Sequence, residues 1–519
     1  MSTRHSFGEI HLDVTAGREQ SQAKPDAETP FRIALLGDFS GRANRGWRET
    51  GAALASRRPI MIDRDNFDSV LAKMAPRLEL GSGGEEGLHI SLQFADLDDF
   101  HPDRLFERVQ IFQKLREVRQ RLKDPATFAK TAAELGLTAA GAAREATIET
   151  PRDAPPPEVS SLVSGSLLDE MVETTESRPE KGAPRRRDAW AIMLSRIVAP
   201  HLVAKADPRQ AELVALIEKA SGAQMAALLH AADFQALEAA WRAVFFLVRN
   251  IETDSHLKLS LIDISKEELA EDLASAGDLG SAGIYKLLVE KTVGTPGAEP
   301  WAVIAGNYTF TPGLKDIELL ARISQVAASA GAPFLAGASP ALLGCESVAE
   351  LLEPRQWKDR ISGQAAALWQ SLRHSPEARW IGLALPRFLL RLPYGKETEP
   401  AETFQFEEMP DPNAHENYLW GNAAFACALL LAQSFTEQAW KLRPGSVSEI
   451  GGLPLYIYFA EAQQEALPCA EVLLTERAAE KMLENGFMPL ASLKDQPAVR
   501  LIRIQSIGDP LSGLAGRWN

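Results

Sequence analysis

A proline-rich stretch divides the 519-residue chain into two parts, each of which alternates apolar strand patterns with amphipathic helix patterns. From about residue 138 to 188, alanine-rich sequence gives way to consecutive prolines at 155–157 and then to three arginines at 185–187. Such composition is typical of a linker and not of a packed core. We therefore predict an N-terminal arm at 1–30, a first domain at 31–137, a linker at 138–189 and a second domain at 190–519.

The first domain has the pattern of a β-α-β-α unit. Residues 31–39 (FRIALLGDF) form an apolar run that ends in a glycine-bearing turn, as in a buried strand. A helical pattern follows at 65–74, and residues 88–94 alternate as in a strand. Pro102 then begins a pattern with apolar residues three and four apart, which predicts one long helix to about Leu122.

The second domain repeats this alternation at greater length. Ser265 and Glu268 form a capping-box pattern just after a predicted strand at 257–264. Further helices and strands are predicted at 223–249, 301–310, 315–330, from 333, 379–385, 422–441, 453–459 and 470–474. Strands that alternate with helices predict an α/β fold of mixed α and β layers.

Composition and charge exclude several classes of function. The chain has 55 Lys and Arg against 70 Asp and Glu, a net charge of −15, which argues against a general nucleic-acid binder. Cys345, Cys427 and Cys469 lack the spacing of a disulfide framework or a zinc ribbon. No apolar run approaches the ~20 residues of a membrane span, and the N-terminus lacks a secretory signal pattern. We expect a cytoplasmic protein without direct membrane insertion.

No assembled catalytic or cofactor motif is found. The loop from Gly37 to Gly41 follows a strand, as phosphate-binding loops do, but it lacks both glycine fingerprints and is interpreted as a structural turn. The carboxylates considered as metal ligands are interpreted instead as turn and helix caps; they are Asp38, Asp63, Asp65, Asp98 and Asp99. We predict no catalytic residue, no cofactor and no metal site, and thus a protein that is not an enzyme.

Three features stay open at this point. Ile10, Leu12 and Val14 alternate with polar residues, without an apparent partner strand nearby in sequence. They form either a disordered tail or an arm that adds a strand to a sheet on another subunit. Within the linker, a short amphipathic stretch needs a surface to dock on; its residues are Leu167, Leu168, Asp169, Glu170 and Met171. The aromatic segments 388–394 and 417–422 fit either a core or an interaction surface.

Strings from both parts carry a resemblance to one family. PFRIALLGDFSGR at 30–42, PIMIDRDNF at 59–67 and DLDDFHPD at 96–103 resemble the small subunit (TssB, or VipA) of the type VI secretion contractile sheath. NIETD at 250–254, LPRFLLRLPYG at 385–395 and YLWGN at 418–422 resemble the large subunit (TssC, or VipB). The chain thus looks like a fusion of two sheath-type domains joined by the Pro-rich linker.

The resemblance implies a structural, energy-storing polymer. Sheath subunits of this family assemble around an inner tube of Hcp rings, contract to eject it, and connect to a baseplate. A ClpV-type AAA+ unfoldase recycles the contracted sheath by binding a short helix, to which the stretch at 167–171 corresponds. The alternating residues Ile10, Leu12 and Val14 correspond to the arm through which neighbouring protomers exchange strands, so the expected partners are copies of the chain itself or other sheath subunits.

Two functions are compatible with this resemblance. The first is a component of the contractile sheath that assembles around the Hcp tube and helps to drive its ejection. The family's large subunit continues beyond the region matching residues 486–490, whereas this sequence ends soon after it. The alternative is therefore an accessory, capping or regulatory protein that binds sheath components without contracting itself.

Overall fold

The computed structural model describes residues 3–7, 10–14, 25–81, 90–135 and 210–518, apart from 294, 296, 359–360 and 461–462. The strands are numbered in chain order: β1 Thr3–Phe7, β2 Ile10–Val14, β3 Phe31–Gly37, β4 Ile60–Ile62, β5 Arg77–Leu80, β6 Ile90–Gln93, β7 Leu257–Asp263, β8 Val303–Phe310, β9 Phe334–Ala338, β10 Ile381–Leu385, β11 Phe388–Leu389, β12 Trp420–Gly421, β13 Glu449–Gly451, β14 Ile457–Ala460, β15 Gln463–Ala466, β16 Met488–Ser492 and β17 Ala498–Leu501.

The α-helices are numbered in the same way: α1 Gly51–Ala55, α2 Phe67–Met74, α3 Pro102–Arg108, α4 Gln110–Lys123, α5 Pro125–Glu134, α6 Gln210–Leu229, α7 Ala232–Asn250, α8 Lys266–Ser275, α9 Leu314–Ala330, α10 Gly363–His374, α11 Ala423–Gln438 and α12 Glu476–Glu484. A helical turn at Gly283–Tyr285 continues into a π-helical turn at Lys286–Glu290. Short 3₁₀ helices lie at Leu97–Phe100, Leu279–Ser281, Pro340–Leu343, Ala349–Leu352, Pro376–Trp380, His415–Asn417 and Ala439–Lys441.

A nine-stranded sheet organises the larger part of the described chain. Its strand order is β13-β17-β16-β10-β9-β8-β3-β7-β4, with a parallel centre and antiparallel strands at both ends. Parallel strands need crossover connections and are covered on both faces. Helix α11 is apolar on nearly all sides and packs against this sheet. A helix with apolar residues all round its surface is stable in water only when it is buried on all sides, and α11 is buried in this way. The predicted α/β class is confirmed.

The chain divides into two units, and each unit contains segments from both the N-terminal and the C-terminal part of the sequence. The first unit comprises Met1–Met74, Ala239–Leu392 and Tyr418–Asn519 and contains the nine-stranded sheet. The second comprises Ala75–Glu238 and Pro393–Asn417, with the β5–β6 ladder and helices α3 to α6. The domain boundaries at 30, 137 and 189 stay a prediction, and the linker lies outside the described residues.

The β-α-β-α unit predicted for the first part is wrong in its pairing. β3 lies in the nine-stranded sheet, whereas β6 pairs only with β5 in a separate ladder among the described strands. The predicted long helix is also interrupted: α3 ends and α4 begins at Val109, whose backbone is extended with φ −80° and ψ 127°. The interruption preserves the apolar spacing, because Val109 stays buried and Phe106 still stacks on Phe112 at 5.7 Å.

Late in the chain the strand predictions fail for local reasons. Residues 470–474 form no strand, since Glu471 has a left-handed backbone with φ 43° and its carboxylate accepts a hydrogen bond from the Arg387 amide. The strand predicted at 453–459 begins only at Ile457. β13, β16 and β17 were not predicted, because they are short and β16 contains Pro489.

Candidate functional site

Strand β3 joins the N-terminal part of the chain (1–137) to the C-terminal part (190–519). It lies between β7 and β8 and is parallel to both, with Phe31 opposite Leu257 and Ile33 opposite Val303. Its side chains are buried on both faces; Ile33, Ala34, Leu35 and Leu36 are all fully inaccessible to solvent. This explains why its sequence is an apolar run without alternation. The sheet of the C-terminal part is therefore continuous only when β3 is present.

Beside this strand lies a group of ionised side chains, here called the charge cluster: Arg42, Glu49, Arg57, Asp263 and Glu268. Glu268, on α8, is fully buried and accepts hydrogen bonds from Arg42 Nε at 3.2 Å and Arg57 Nη1 at 3.0 Å. It also accepts the Glu49 amide at 2.7 Å. Glu49 binds both guanidinium groups from the other side, at 2.9 and 2.7 Å. The cluster thus connects the N-terminal and C-terminal parts through charge-assisted hydrogen bonds. These bonds are short and directional, so they restrict movement of one part relative to the other.

The charge cluster sets the protonation of its carboxyl groups. Burial raises the pKa of Glu268, but hydrogen bonds from Arg57 and Arg42 outweigh it, so this pKa lies below the ordinary value and the group is ionised. The Arg57 hydrogen bond likewise lowers the pKa of Glu49. Asp263 differs, because burial dominates and raises its pKa despite a hydrogen bond from Ser40. Stability from Glu268 and Glu49 is therefore present above their ordinary pKa and lost in acid.

The glycine-bearing loop after β3 uses its polar groups internally. Asp263 Oδ1 accepts the amides of Phe39 and Ser40 at 2.9 and 3.1 Å, and Asp38 accepts those of Arg42 and Ala43 at 2.6 and 2.8 Å. Amides that cradle a phosphate must point at the ligand, whereas these are bound by carboxylates of the chain itself. The loop is a structural turn that places Arg42 in the charge cluster.

A third contact in the same unit is a close backbone approach. Asp272, buried on α8, accepts the amides of Gly51 at 2.6 Å, Gly283 at 3.0 Å and Ile284 at 2.9 Å. A methyl group placed on Gly283 collides with the Gly51 carbonyl oxygen and lies 2.8 Å from the Leu54 Cβ. Only glycine at position 283, which has no side chain, allows α1 of the N-terminal part to approach the helical turn at Gly283–Tyr285 this closely.

The second unit has its own joint between the two parts. Asp103, on α3, accepts the Thr403 amide at 2.9 Å and the Glu402 amide at 3.0 Å. Phe106 stacks on Phe404 with ring centroids 4.4 Å apart. Burial raises the pKa of Asp103, but these amides and the Thr403 hydroxyl lower it below its ordinary value. The segment 393–417 is thus fixed to helix α3 by ring stacking and by hydrogen bonds to the Asp103 carboxylate.

The other candidate groups have structural roles. Asp63 Oδ1 accepts the amides of Asp65 and Asn66, and Asp99 accepts the Ala95 amide. Within the described ranges, no cluster of three or more His, Cys, Asp or Glu side chains has the arrangement of a metal site. Cys345, Cys427 and Cys469 are buried, and burial raises the pKa of Cys427 to about 12.

Of the features left open by the sequence, the aromatic segments belong to the core. Phe388, Leu389 and Tyr394 are buried, as are Tyr418 and Trp420, and β11 pairs with β12. The alternating arm residues Ile10, Leu12 and Val14 form β2, which pairs antiparallel with β1. The expectation that no partner strand is nearby in sequence is therefore wrong. Leu167, Leu168, Asp169, Glu170 and Met171 lie outside the described residues.

The residues that join the two parts were not identified from the sequence as a site. Ser265 caps α8 through the Glu268 amide as predicted, at 3.1 Å, but the Glu268 side chain turns away from the cap toward Arg42 and Arg57. The only available signal is that five arginines and a buried-strand motif share residues 31–57. The ion pairs of Arg42 and Arg57 with Glu268 join residues more than 200 positions apart, so they produce no recognisable pattern in the local sequence.

A strand of the N-terminal part lies inside the sheet of the C-terminal part, and buried ion pairs join the two parts, so they form one interlocked α/β unit. Sequence profiles of two families agree with this division. The VipB profile, described as an EvpB-type tail sheath N-terminal domain, matches residues 211–508, more than half of the chain. The type VI secretion system VipA profile matches residues 9–136. The chain belongs to the VipB tail sheath family and carries a VipA-type domain in front of it.

Two curated relatives correspond to the same two parts. The type VI secretion system sheath protein TssC1 of Pseudomonas aeruginosa is 36% identical over 304 residues, 57% of this chain and 61% of TssC1. The sheath protein TssB1 of the same organism is 33% identical over 132 residues, 24% of this chain and 72% of TssB1. These relatives are structural sheath proteins and not enzymes. Within the described ranges, no helix combines the length and apolarity that a membrane span needs.

Proposed function

We propose that this chain is a fused subunit of a type VI secretion contractile sheath, active in the cytoplasm, that assembles around an Hcp tube and helps to eject it. The observation that carries the proposal is β3, which sits between β7 and β8 so that the small-subunit-type and large-subunit-type parts form one sheet. A subunit that transmits force must not separate into its parts. The charge cluster and the Asp103 contacts oppose such separation at two further places.

The test is negative-stain electron microscopy of the purified chain, alone and mixed with Hcp-type tube protein. Hollow striated cylinders around or without the tube support a sheath subunit. Discrete particles under both conditions would contradict it and favour the alternative, an accessory or capping protein that binds sheath components.

Strand exchange between copies is the proposed role of the arm. Deleting residues 1–20 is expected to weaken self-association, measured by sedimentation velocity, because β1 and β2 pair only with each other among the described strands. The melting temperature should hardly change, since the arm adds no strand to the nine-stranded sheet. A drop of many degrees would place the arm in the core of its own copy instead.

Recycling by a ClpV-type unfoldase is proposed for the stretch at 167–171. Leu168→Asp combined with Met171→Asp is expected to abolish capture of the chain by the immobilised unfoldase, because both changes put charge on the apolar side of an amphipathic segment. Circular dichroism should show an unchanged fold. Undiminished capture would rule out this stretch as the unfoldase site. The baseplate is a further proposed partner.

A further inference from the structure

An exposed tryptophan lies beside the charge cluster. Trp47 is 56% exposed, and the guanidinium of Arg45 lies over its ring, 4.5 Å from the centroid. Arg45 is itself fixed, because it donates hydrogen bonds to the carbonyl oxygens of Gly41 at 3.1 Å and Ser40 at 3.0 Å. Tryptophan and arginine side chains that are held in place before a partner binds are typical anchors of protein interfaces.

The surroundings of Trp47 are basic, although the protein is acidic. Residues 42–64 contain six arginines against two acidic residues, whereas the whole chain has a net charge of −15. Two of these arginines are neutralised in the charge cluster, but Arg48 forms only a half-exposed pair with Glu271, and Arg45 has no carboxylate partner within the described ranges. Arg45, Trp47 and Arg48, here called the Trp47 patch, therefore suit a partner that is acidic and partly apolar.

Helix α12 presents a surface of this kind. Glu476, Glu480 and Glu484 are spaced four residues apart, so they share one face of the helix, and Arg477 lies about 100° around it from Glu476. All three glutamates are exposed, and in the described part of the chain none of them forms an ion pair. Leu473, which is 40% exposed, lies just before the helix. Leu473 and the three glutamates are here called the α12 stripe.

The two surfaces lie at different places along the nine-stranded sheet. The Trp47 patch lies in the segment that follows β3, and α12 packs against β16. β3 and β16 are four positions apart in the strand order, which at about 4.8 Å per strand is roughly 19 Å. The patch and the stripe therefore do not meet within one copy. A contact between two different surfaces of identical chains is heterologous, so it can repeat from copy to copy.

We propose that the Trp47 patch of one copy binds the α12 stripe of a second copy in a head-to-tail contact. The Trp47 ring packs on Leu473, and the two arginines pair with glutamates of the stripe. Because each copy is strongly acidic, a basic patch that meets an acidic stripe also fixes the orientation of the two copies. The proposal rests on the sheath function and specifies one of its contacts, since a heterologous contact that does not close produces a helical filament.

Cysteine cross-linking with a short bismaleimide tests the contact. One chain carries Arg48→Cys and the other carries Glu480→Cys; background is low because the three native cysteines are buried. A covalent dimer is expected in the mixture and with neither chain alone. A chain that carries both substitutions should give a ladder of dimers, trimers and larger species on denaturing gels, because every copy then offers both ends. Absence of the mixed dimer and of the ladder overturns the proposal and leaves the patch to a different acidic partner.

Charge reversal provides a second readout. Glu480→Arg should weaken self-association, measured by sedimentation velocity, by about tenfold or more, because it places like charges opposite each other. Arg48→Glu in the same chain should restore part of the loss. The control is Glu437→Arg, since Glu437 is exposed on α11 and has no ion pair in the described ranges. Equal effects of Glu480→Arg and Glu437→Arg overturn the proposal.

The outcomes separate this contact from the sheath function on which it rests. Cylinders of the unmodified chain without a mixed cross-linked dimer would refute the contact but not the sheath function. A mixed dimer without cylinders would support the contact and contradict the sheath function.

Discussion

Replacing Glu268 with alanine is expected to lower the free energy of unfolding by about 3–5 kcal/mol, because it leaves buried arginine charge without its main acceptor. Glu268 is fully buried and binds Arg42, Arg57 and the Glu49 amide. The measurement is the urea dependence of the transition followed by tryptophan fluorescence. The loss should appear as a lower urea midpoint of the first unit, which contains the charge cluster.

Glu271→Ala is the matched control on the same helix. Glu271 is half exposed and pairs with the equally exposed Arg48 at 3.4 Å, so its loss should cost about 1 kcal/mol or less. The pH dependence provides a second check. Because the Glu268 pKa is lowered by folding, its contribution is present above about pH 4.3 and is lost as the pH falls further. The Glu268→Ala chain should therefore lose less stability on acidification than the wild type; parallel acid curves would contradict the assigned role.

Gly283→Ala is expected to destabilise the first unit by about 1–3 kcal/mol through overpacking at the joint. The added methyl group collides with the Gly51 carbonyl oxygen and lies 2.8 Å from the Leu54 Cβ and 3.0 Å from Asp272 Oδ1. The Gly51 backbone cannot rotate away as a flexible side chain can, so α1 must move away from the helical turn at Gly283–Tyr285. This movement strains the hydrogen bond from the Gly51 amide to Asp272. Thermal unfolding, compared with the wild type, measures the loss.

Gly277→Ala provides the comparison, since a methyl group there meets no atom within 4 Å. That change should leave stability unaltered or raise it by up to about 1 kcal/mol, because alanine restricts the unfolded chain. If both glycine variants unfold at the wild-type temperature, the close approach of α1 does not contribute to the joint.

Much of the local structure could be predicted because it depends on neighbours in sequence. The apolar run at 31–39 gave β3, the helix pattern at 65–74 gave α2, and Ser265 caps α8 as expected. Even the interrupted helix at Val109 kept its buried positions, since the apolar spacing continues across the break. The class of protein was also accessible from the sequence, because the strings of the two subunit families occur in order along one chain.

Only the tertiary structure decided how the two parts combine. The sequence predicts β3 as a buried strand but does not identify its partner strands. Strands pair through backbone hydrogen bonds, which every residue type except proline can make, so the sequence of β3 does not specify its neighbours. In the structure, β3 pairs with strands more than 200 residues away. The same holds for Glu268, whose local pattern indicates a cap and whose function is to bind two distant arginines. Periodicity and capping are short-range and can be read along the chain, whereas strand order and buried ion pairs arise from packing between distant segments.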